Sequence, residues 1–256
     1  MADSPDPTAP DAAPTPIPPP HARPDAGAPP RPPLTPDLTR ALRGRFVVFD
    51  GPDGSGKSTQ SHRLCTDARA AGLEVCEVRE PGGTHIGEQI RRLLLDPSVK
   101  EDVDLRAEML LFMASRAQLL AQRVRPALAR GELVLADRFI SSTLAYQGAA
   151  GGLPVDEILA VGRVALGDTW PHLTVVFDVD AETSAQRLRP LLRGREFDAP
   201  KDRIESRSAD YHRRVRGGYL DQAAADPDRH LVLDAAAEPD AVYGKLLTGI
   251  AIHLGD

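Results

Sequence analysis

The strongest chemical signal in the chain is the run Gly51, Pro52, Asp53, Gly54, Ser55, Gly56, Lys57 and Ser58. It fits G-x-x-x-x-G-K-[ST], a pattern suited to holding a row of phosphates. Its glycines let successive backbone N–H groups turn inward as a cradle for an anion. A helix starting at the lysine would point its positive end at the same anion. Lys57 then reaches the β- and γ-phosphates of a nucleoside triphosphate, and the Ser58 hydroxyl sits on Mg²⁺. Thr59 follows in the first turn, so Gly51 to Thr59 form the expected nucleotide cradle. The motif calls for ATP or GTP and is silent on what receives the phosphate.

Such a loop works only between a strand and a helix, and the flanking residues supply both. Phe46-Val47-Val48-Phe49 is a short apolar run, the signature of a strand buried on both faces. A helix is expected from Lys57 to about Ala71, closed by Gly72. Four further strands are expected at Val75–Val78, Leu133–Ala136, Leu173–Phe177 and Leu231–Leu233. The remaining helices are expected at Thr84–Leu95, Asp104–Ala129, Pro154–Leu166, Ala181–Leu192, Glu205–Ala225 and Pro239–His253. Alternating strands and helices of these lengths call for a parallel sheet covered on both faces.

Residues 1–42 have a different composition. They hold more than half of the chain's 24 prolines, with Ala and Asp between them. Such a stretch buries too little apolar surface to offset its ordering, so a disordered or polyproline tail is expected. Residues 43–256 then form one domain. A formal net charge of −6 speaks against a nucleic-acid coat or a membrane-surface protein. No apolar run approaches the roughly 18 residues of a membrane span, and the N-terminus lacks the pattern of a secretory signal. The two cysteines, Cys65 and Cys76, fit a reducing compartment. A cytoplasmic protein is expected.

Four further segments, in order, resemble those of thymidylate kinases: Arg79-Glu-Pro-Gly-Gly-Thr84, Phe112-Met-Ala-Ser-Arg116, Asp137-Arg138 through Ala145-Tyr146-Gln147, and Asp202-Arg-Ile-Glu205. The resemblance covers residues 45 to 254 and none of the tail. It implies an α/β fold of the P-loop NTPase type, a three-layer sandwich with a five-stranded parallel sheet and a lid at about 190–204. It also implies transfer of the ATP γ-phosphoryl group to dTMP, with ATP, dTMP and Mg²⁺ bound and a homodimer formed.

A kinase of nucleoside monophosphates must hold two anions head to head and neutralise their repulsion. Arg116 and Arg138 are candidates, because guanidinium forks match phosphate oxygens. Phe112 lies one helical turn before Arg116 and so shares its face. By resemblance Phe112 stacks on the thymine, Arg116 contacts it, and Tyr146 lies beneath the deoxyribose. Thr143 and Gln147 fall at base-contact positions. Asp137, at a strand's carboxyl end, is a candidate for ordering Mg²⁺. Asp53 resembles the acidic residue that orients the acceptor near the metal. The basic stretch with Arg187, Arg189, Arg193, Arg195, Lys201 and Arg203 matches the lid. Lys57, Arg138, Asp53 and one of Arg193 or Arg195 are then the catalytic set.

Three rival readings compete with this one. Another small-molecule kinase of this fold would differ in the acceptor pocket. A nucleotide switch protein would show a guanine-reading Asn-Lys-x-Asp, which is absent. A binding module tethered by the tail would explain the prolines and leave the other motifs unused.

Overall fold

The computed structural model describes residues 33–96, 98, 102–184, 186–187, 204 and 207–255. Five strands form one sheet: β1 (Phe46–Asp50), β2 (Val75–Arg79), β3 (Leu133–Asp137), β4 (Leu173–Asp178) and β5 (His230–Asp234). Their order is β2-β3-β1-β4-β5. Every pairing is parallel, with Phe46 opposite Val134 and Val47 opposite Leu173 on the two sides of β1. β1 is therefore central and buried along its whole length, as its unbroken apolar run requires. The expected five-stranded parallel sheet is present.

Helices cover both faces. On one side α1 (Pro36–Leu42), α2 (Lys57–Ala70) and α9 (Pro239–Leu254) pack against Val47, Phe49, Leu135 and Val175. On the other, α4 (Leu105–Leu119), α5 (Arg125–Ala129) and α7 (Val155–Leu166) cover Phe46, Val48, Val134 and Ala136. The alternation of side chains along β1 divides the two cores. α3 (His85–Leu95) packs on α4, and α8 (Ala209–Ala225) lies across the carboxyl edge of the sheet.

Three segments depart from the sequence expectation. The first is α1, which falls inside the stretch expected to be a disordered tail. Thr35 caps it and accepts from the Leu38 N–H, while Leu34, Leu38 and Leu42 enter the core beside Ile250 and Leu254. Three leucines at four-residue spacing supply an apolar stripe that the proline count concealed. The ordered chain thus begins before residue 43, and residues 1–32 lie outside the described part. The second is the single helix expected from Asp104 to Ala129, which widens into a π-helical turn at Leu120–Val124 before α5. Pro126 has no N–H and its ring crowds the carbonyl four residues earlier, which is where the turn opens.

The third is Phe139 to Ala150, which carried no expected element. It forms α6 (Ile140–Thr143) and a π-helical stretch, Leu144–Ala150, that packs tightly on α8. Gly218 of α8 permits this approach, since a Cβ there would stand 2.6 Å from that of Ala149. A wide helical turn is not encoded by any simple periodicity.

Leu42 is fully buried, so Leu42→Ala should lower the unfolding free energy by about 2–5 kcal/mol. Urea denaturation monitored by circular dichroism reads the value directly. A loss below about 0.5 kcal/mol would mean that α1 is dispensable.

Candidate active site

The phosphate loop joins β1 to α2 at the carboxyl edge of the sheet, where ligands gather in open α/β folds. Gly51, Gly54 and Gly56 have φ values of 129°, 76° and 92°. Gly51 is also sterically required, since a Cβ there would meet the Phe177 carbonyl oxygen at 2.5 Å. Gly56 offers no side-chain cap to α2, leaving the first-turn N–H groups of that helix for an anion. Lys57 is buried, and its ammonium donates to the carbonyls of Gly51 and Pro52, both at 2.9 Å. Burial, together with the nearby Arg138 charge, lowers its pKa against the pull of Asp53, Asp137 and Asp50. Ser58 and Thr59 are exposed at the start of the helix.

Asp53 reaches out of the loop to Arg138, with a 2.6 Å bond from Nη2 to Oδ1. Burial opposes ionisation of Asp53, but the charges of Arg138 and Lys57 outweigh it and hold its pKa below the ordinary value. Arg138 follows β3 with φ 69°, the one positive φ at a non-glycine among the described residues. Such a backbone costs energy and persists where the surroundings hold it. Here they do: Arg138 Nη1 donates to Ser142 Oγ and Tyr219 Oη, each at 3.2 Å, and its guanidinium lies 5.3 Å from the Tyr146 ring centroid.

Asp50, the last residue of β1, anchors this cluster. Its fully buried carboxylate accepts from Ser141 at 2.5 Å, Ser142 at 2.6 Å and Tyr219 at 2.7 Å. Arg138 Nη1 stands 3.7 Å from it. Burial raises the Tyr219 phenol well above its ordinary value, so it remains a donor. Neither Asp50 nor Tyr219 stood out in the sequence. Asp50 only follows the apolar run Phe46–Phe49, and Tyr219 falls in an expected helix with no motif around it.

A cavity of about 220 Å³ opens beside this cluster. Asp53, Ser58, Asp137, Arg138, Phe112, Arg116, Thr143, Tyr146 and Gln147 all line it, so nine of the sequence candidates share one space. Arg116 projects from the same face of α4 as Phe112. It is buried, donates from Nε to Glu80 Oε2 at 2.8 Å and from Nη2 to Thr143 at 3.1 Å, and rests 5.1 Å from the Phe139 ring centroid. Glu80 comes from the Arg-Glu-Pro-Gly-Gly-Thr loop. Burial pushes its carboxyl up to about 7 despite the attraction of Arg116. Gln147 donates to Glu108 at 2.7 Å.

Asp137 Oδ1 is buried without a hydrogen-bond partner. An orphaned carboxylate oxygen beside a Ser58 hydroxyl in one cavity suits a hard cation that also takes phosphate oxygens. Arg193 and Arg195 lie outside the described residues, as do Arg189, Lys201, Asp202, Arg203 and Glu205. Arg187, the first basic residue of that cluster, donates to the Ala235 and Ala236 carbonyls at 2.7 and 2.9 Å, away from the cavity.

A family model described as thymidylate kinase matches residues 49–245. The thymidylate kinase of Deinococcus radiodurans is 43% identical over 209 residues, 82% of this chain and 97% of that protein. That of Pseudomonas syringae pv. tomato is 44% identical over 209 residues, 80% and 96% respectively. The chain belongs to the thymidylate kinase family.

Its reaction is that of the family, transfer of the ATP γ-phosphoryl group to dTMP to give dTDP and ADP. The crystal structure of thymidylate kinase from Ehrlichia chaffeensis has the same fold, with a TM-score of 0.62 at 30% identity over 80% of this chain and 97% of that one. The cavity brings the charged side chains of Asp53, Asp137 and Arg138 together with the Phe112 ring and the buried polar side chains of Thr143 and Gln147.

Glu80 gives a pH signature. Its folded pKa lies above the ordinary value of 4.5, so between pH 4.5 and about 7 the folded state holds a proton that the unfolded state has lost. Stability from this group is full below pH 4.5 and is lost as pH rises through about 7. The unfolding free energy of wild type relative to Glu80→Gln should therefore fall across that window. A flat difference would show that Glu80 stays ionised in the folded protein.

Proposed function

We propose that the cavity is where dTMP meets MgATP, and that the residues lining it divide the work between anion binding and base recognition. The observation that carries this reading is the Asp53–Arg138 pair. It joins the phosphate loop to the acceptor cavity, so the two phosphates would meet at one cation.

ATP would lie with its phosphates along Gly51, Pro52, Asp53, Gly54, Ser55, Gly56, Lys57, Ser58 and Thr59. Lys57 would exchange its bonds to the Gly51 and Pro52 carbonyls for the β- and γ-phosphates. Arg138 would hold the dTMP phosphate in line with the γ-phosphorus. Asp53 aims that guanidinium and orients the acceptor near the metal. Ser58 and Asp137 would hold Mg²⁺, which when bound neutralises charge on the transferring oxygens. One of Arg193 or Arg195 would add positive charge to the transferring phosphoryl group. A dTMP phosphate oxygen attacks directly, so no covalent intermediate and no strong general base are required. At the other end Phe112 stacks on the thymine, Arg116, Thr143 and Gln147 meet its edge, and Tyr146 lies under the sugar.

A homodimer is part of the same reading. Ile86, Leu93 and Leu110, on the packed pair α3 and α4, are each a little over half exposed, an apolar surface that a second copy would cover. Work in the cytoplasm is part of the same reading; among the described residues no helix is long and apolar enough to cross a membrane.

ADP formation measured with dTMP, dUMP, dCMP, AMP, GMP and thymidine as separate acceptors tests the assignment. Turnover should be strongest with dTMP. Phe112→Ala should raise KM for dTMP about tenfold, the worth of one stacked base. Arg138→Ala should lower kcat/KM by about 100-fold or more. Preference for AMP, GMP or thymidine would discard the base pocket while keeping the phosphate loop.

A further inference from the structure

Three residues of α4, Glu108, Phe112 and Arg116, recur at four-residue spacing and share one helix face. Phe112 and Arg116 line the cavity, whereas Glu108 is not among its lining residues. It sits behind Gln147, with its side chain only 2% exposed. One carboxylate oxygen accepts from Gln147 Nε2 at 2.7 Å and the other from Arg207 Nη2 at 2.7 Å. Arg207 is itself fixed. Its guanidinium lies 4.7 Å from the Tyr211 ring centroid and donates to the Tyr211 hydroxyl, which donates in turn to the Tyr146 carbonyl at 2.7 Å.

A glutamine amide alone is ambiguous, since half a rotation exchanges a donor for an acceptor at little cost. A carboxylate removes the ambiguity because it only accepts. With Nε2 committed to Glu108, the amide oxygen is the acceptor that Gln147 has left for the cavity. Arg116, in the same cavity, only donates. A donor beside an acceptor complements a pyrimidine with a carbonyl at C4 and an N–H at N3. A 4-aminopyrimidine shows the reverse pattern, an amine donor and an unprotonated N3, and meets a mismatch at both positions.

We infer that Glu108, held by Arg207, is a positioning residue that locks the Gln147 amide with its oxygen toward the base, making the site select 2,4-dioxopyrimidine nucleotides over 4-aminopyrimidine ones. This rests on the reading of the cavity as the dTMP site. Selectivity of this kind is strong because a mismatched base leaves buried polar groups unpaired.

The test measures kcat and KM of the full chain with dTMP, dCMP and N3-methyl-dTMP, the last lacking the N3–H. In Glu108→Gln the residue behind Gln147 can itself donate or accept, so the lock is lost. The dTMP-to-dCMP ratio of kcat/KM should fall about tenfold or more, with the change concentrated in KM. The penalty for N3-methylation seen in wild type should shrink in parallel. Arg207→Met, at a side chain 26% exposed, should act in the same direction and decides the matter if Glu108→Gln does not fold. Equal losses on dTMP and dCMP in folded variants, with the ratio unchanged, would reduce Glu108 to a structural role and overturn the inference alone. A wild-type enzyme with no preference for dTMP over dCMP would overturn the reading of the cavity and the inference with it.

Discussion

A buried carboxylate at the end of the central strand is the constraint on which the site depends. Asp50 is fully buried and takes three hydroxyl donors within 2.7 Å, from Ser141, Ser142 and Tyr219. Removing such a charge from water is costly unless each lone pair is met. Meeting them draws α6 and α8 against the end of β1. The same hydroxyls of Ser142 and Tyr219 then receive Arg138. The left-handed backbone of Arg138 is thus held by contacts at its far end, and its guanidinium is directed at Asp53 of the phosphate loop. Fold and clamp share these interactions.

The electrostatics follow from crowding like charges on purpose. Lys57 and Arg138 repel one another in a buried setting, which contributes to the lowered Lys57 pKa. The charges of Asp53 and Asp50 favour both cations, and that of Asp137 favours Lys57. Phosphoryl transfer needs positive charge where the transferring oxygens develop charge, already oriented, so that little reorganisation is left for the reaction. A site in which the cations are fixed by neighbouring carboxylates and carbonyls meets that need better than flexible surface lysines. The helix N-terminus of α2 adds a further fixed positive end.

Much of this was legible in the sequence. The phosphate loop, all five strands and the nine cavity-lining candidates follow from motif, apolar runs and resemblance, because each has a local pattern. What was hidden has no such pattern. Asp50 and Tyr219 are 169 residues apart and meet only once the sheet places β1 beside β4 and α8 across its edge. Glu108 lies on a helix that is expected with or without it. The helix Pro36–Leu42 was masked by composition, since a proline-rich stretch outweighs three well-spaced leucines in any window average. The π-helical turns reflect packing against neighbours, and only the one ahead of Pro126 has a cause visible in the chain.

The helix α8 joins the two ends of the cavity. Arg207 lies just before it, and Tyr211 and Tyr219 are both buried residues of the helix itself. The first two reach Glu108 and the Tyr146 carbonyl, and the third reaches Asp50 and Arg138. Tyr146 lies between them, 6.3 Å from the Tyr211 ring and 6.4 Å from the Tyr219 ring. A shift of α8 would therefore disturb the surroundings of Gln147 and of Arg138 together. Gly218, which admits the close approach of Ala145 and Ala149, fixes how near the helix stands to that cavity. Packing of one helix thus sets the spacing between the Gln147–Glu108 pair and the Arg138–Asp53 pair.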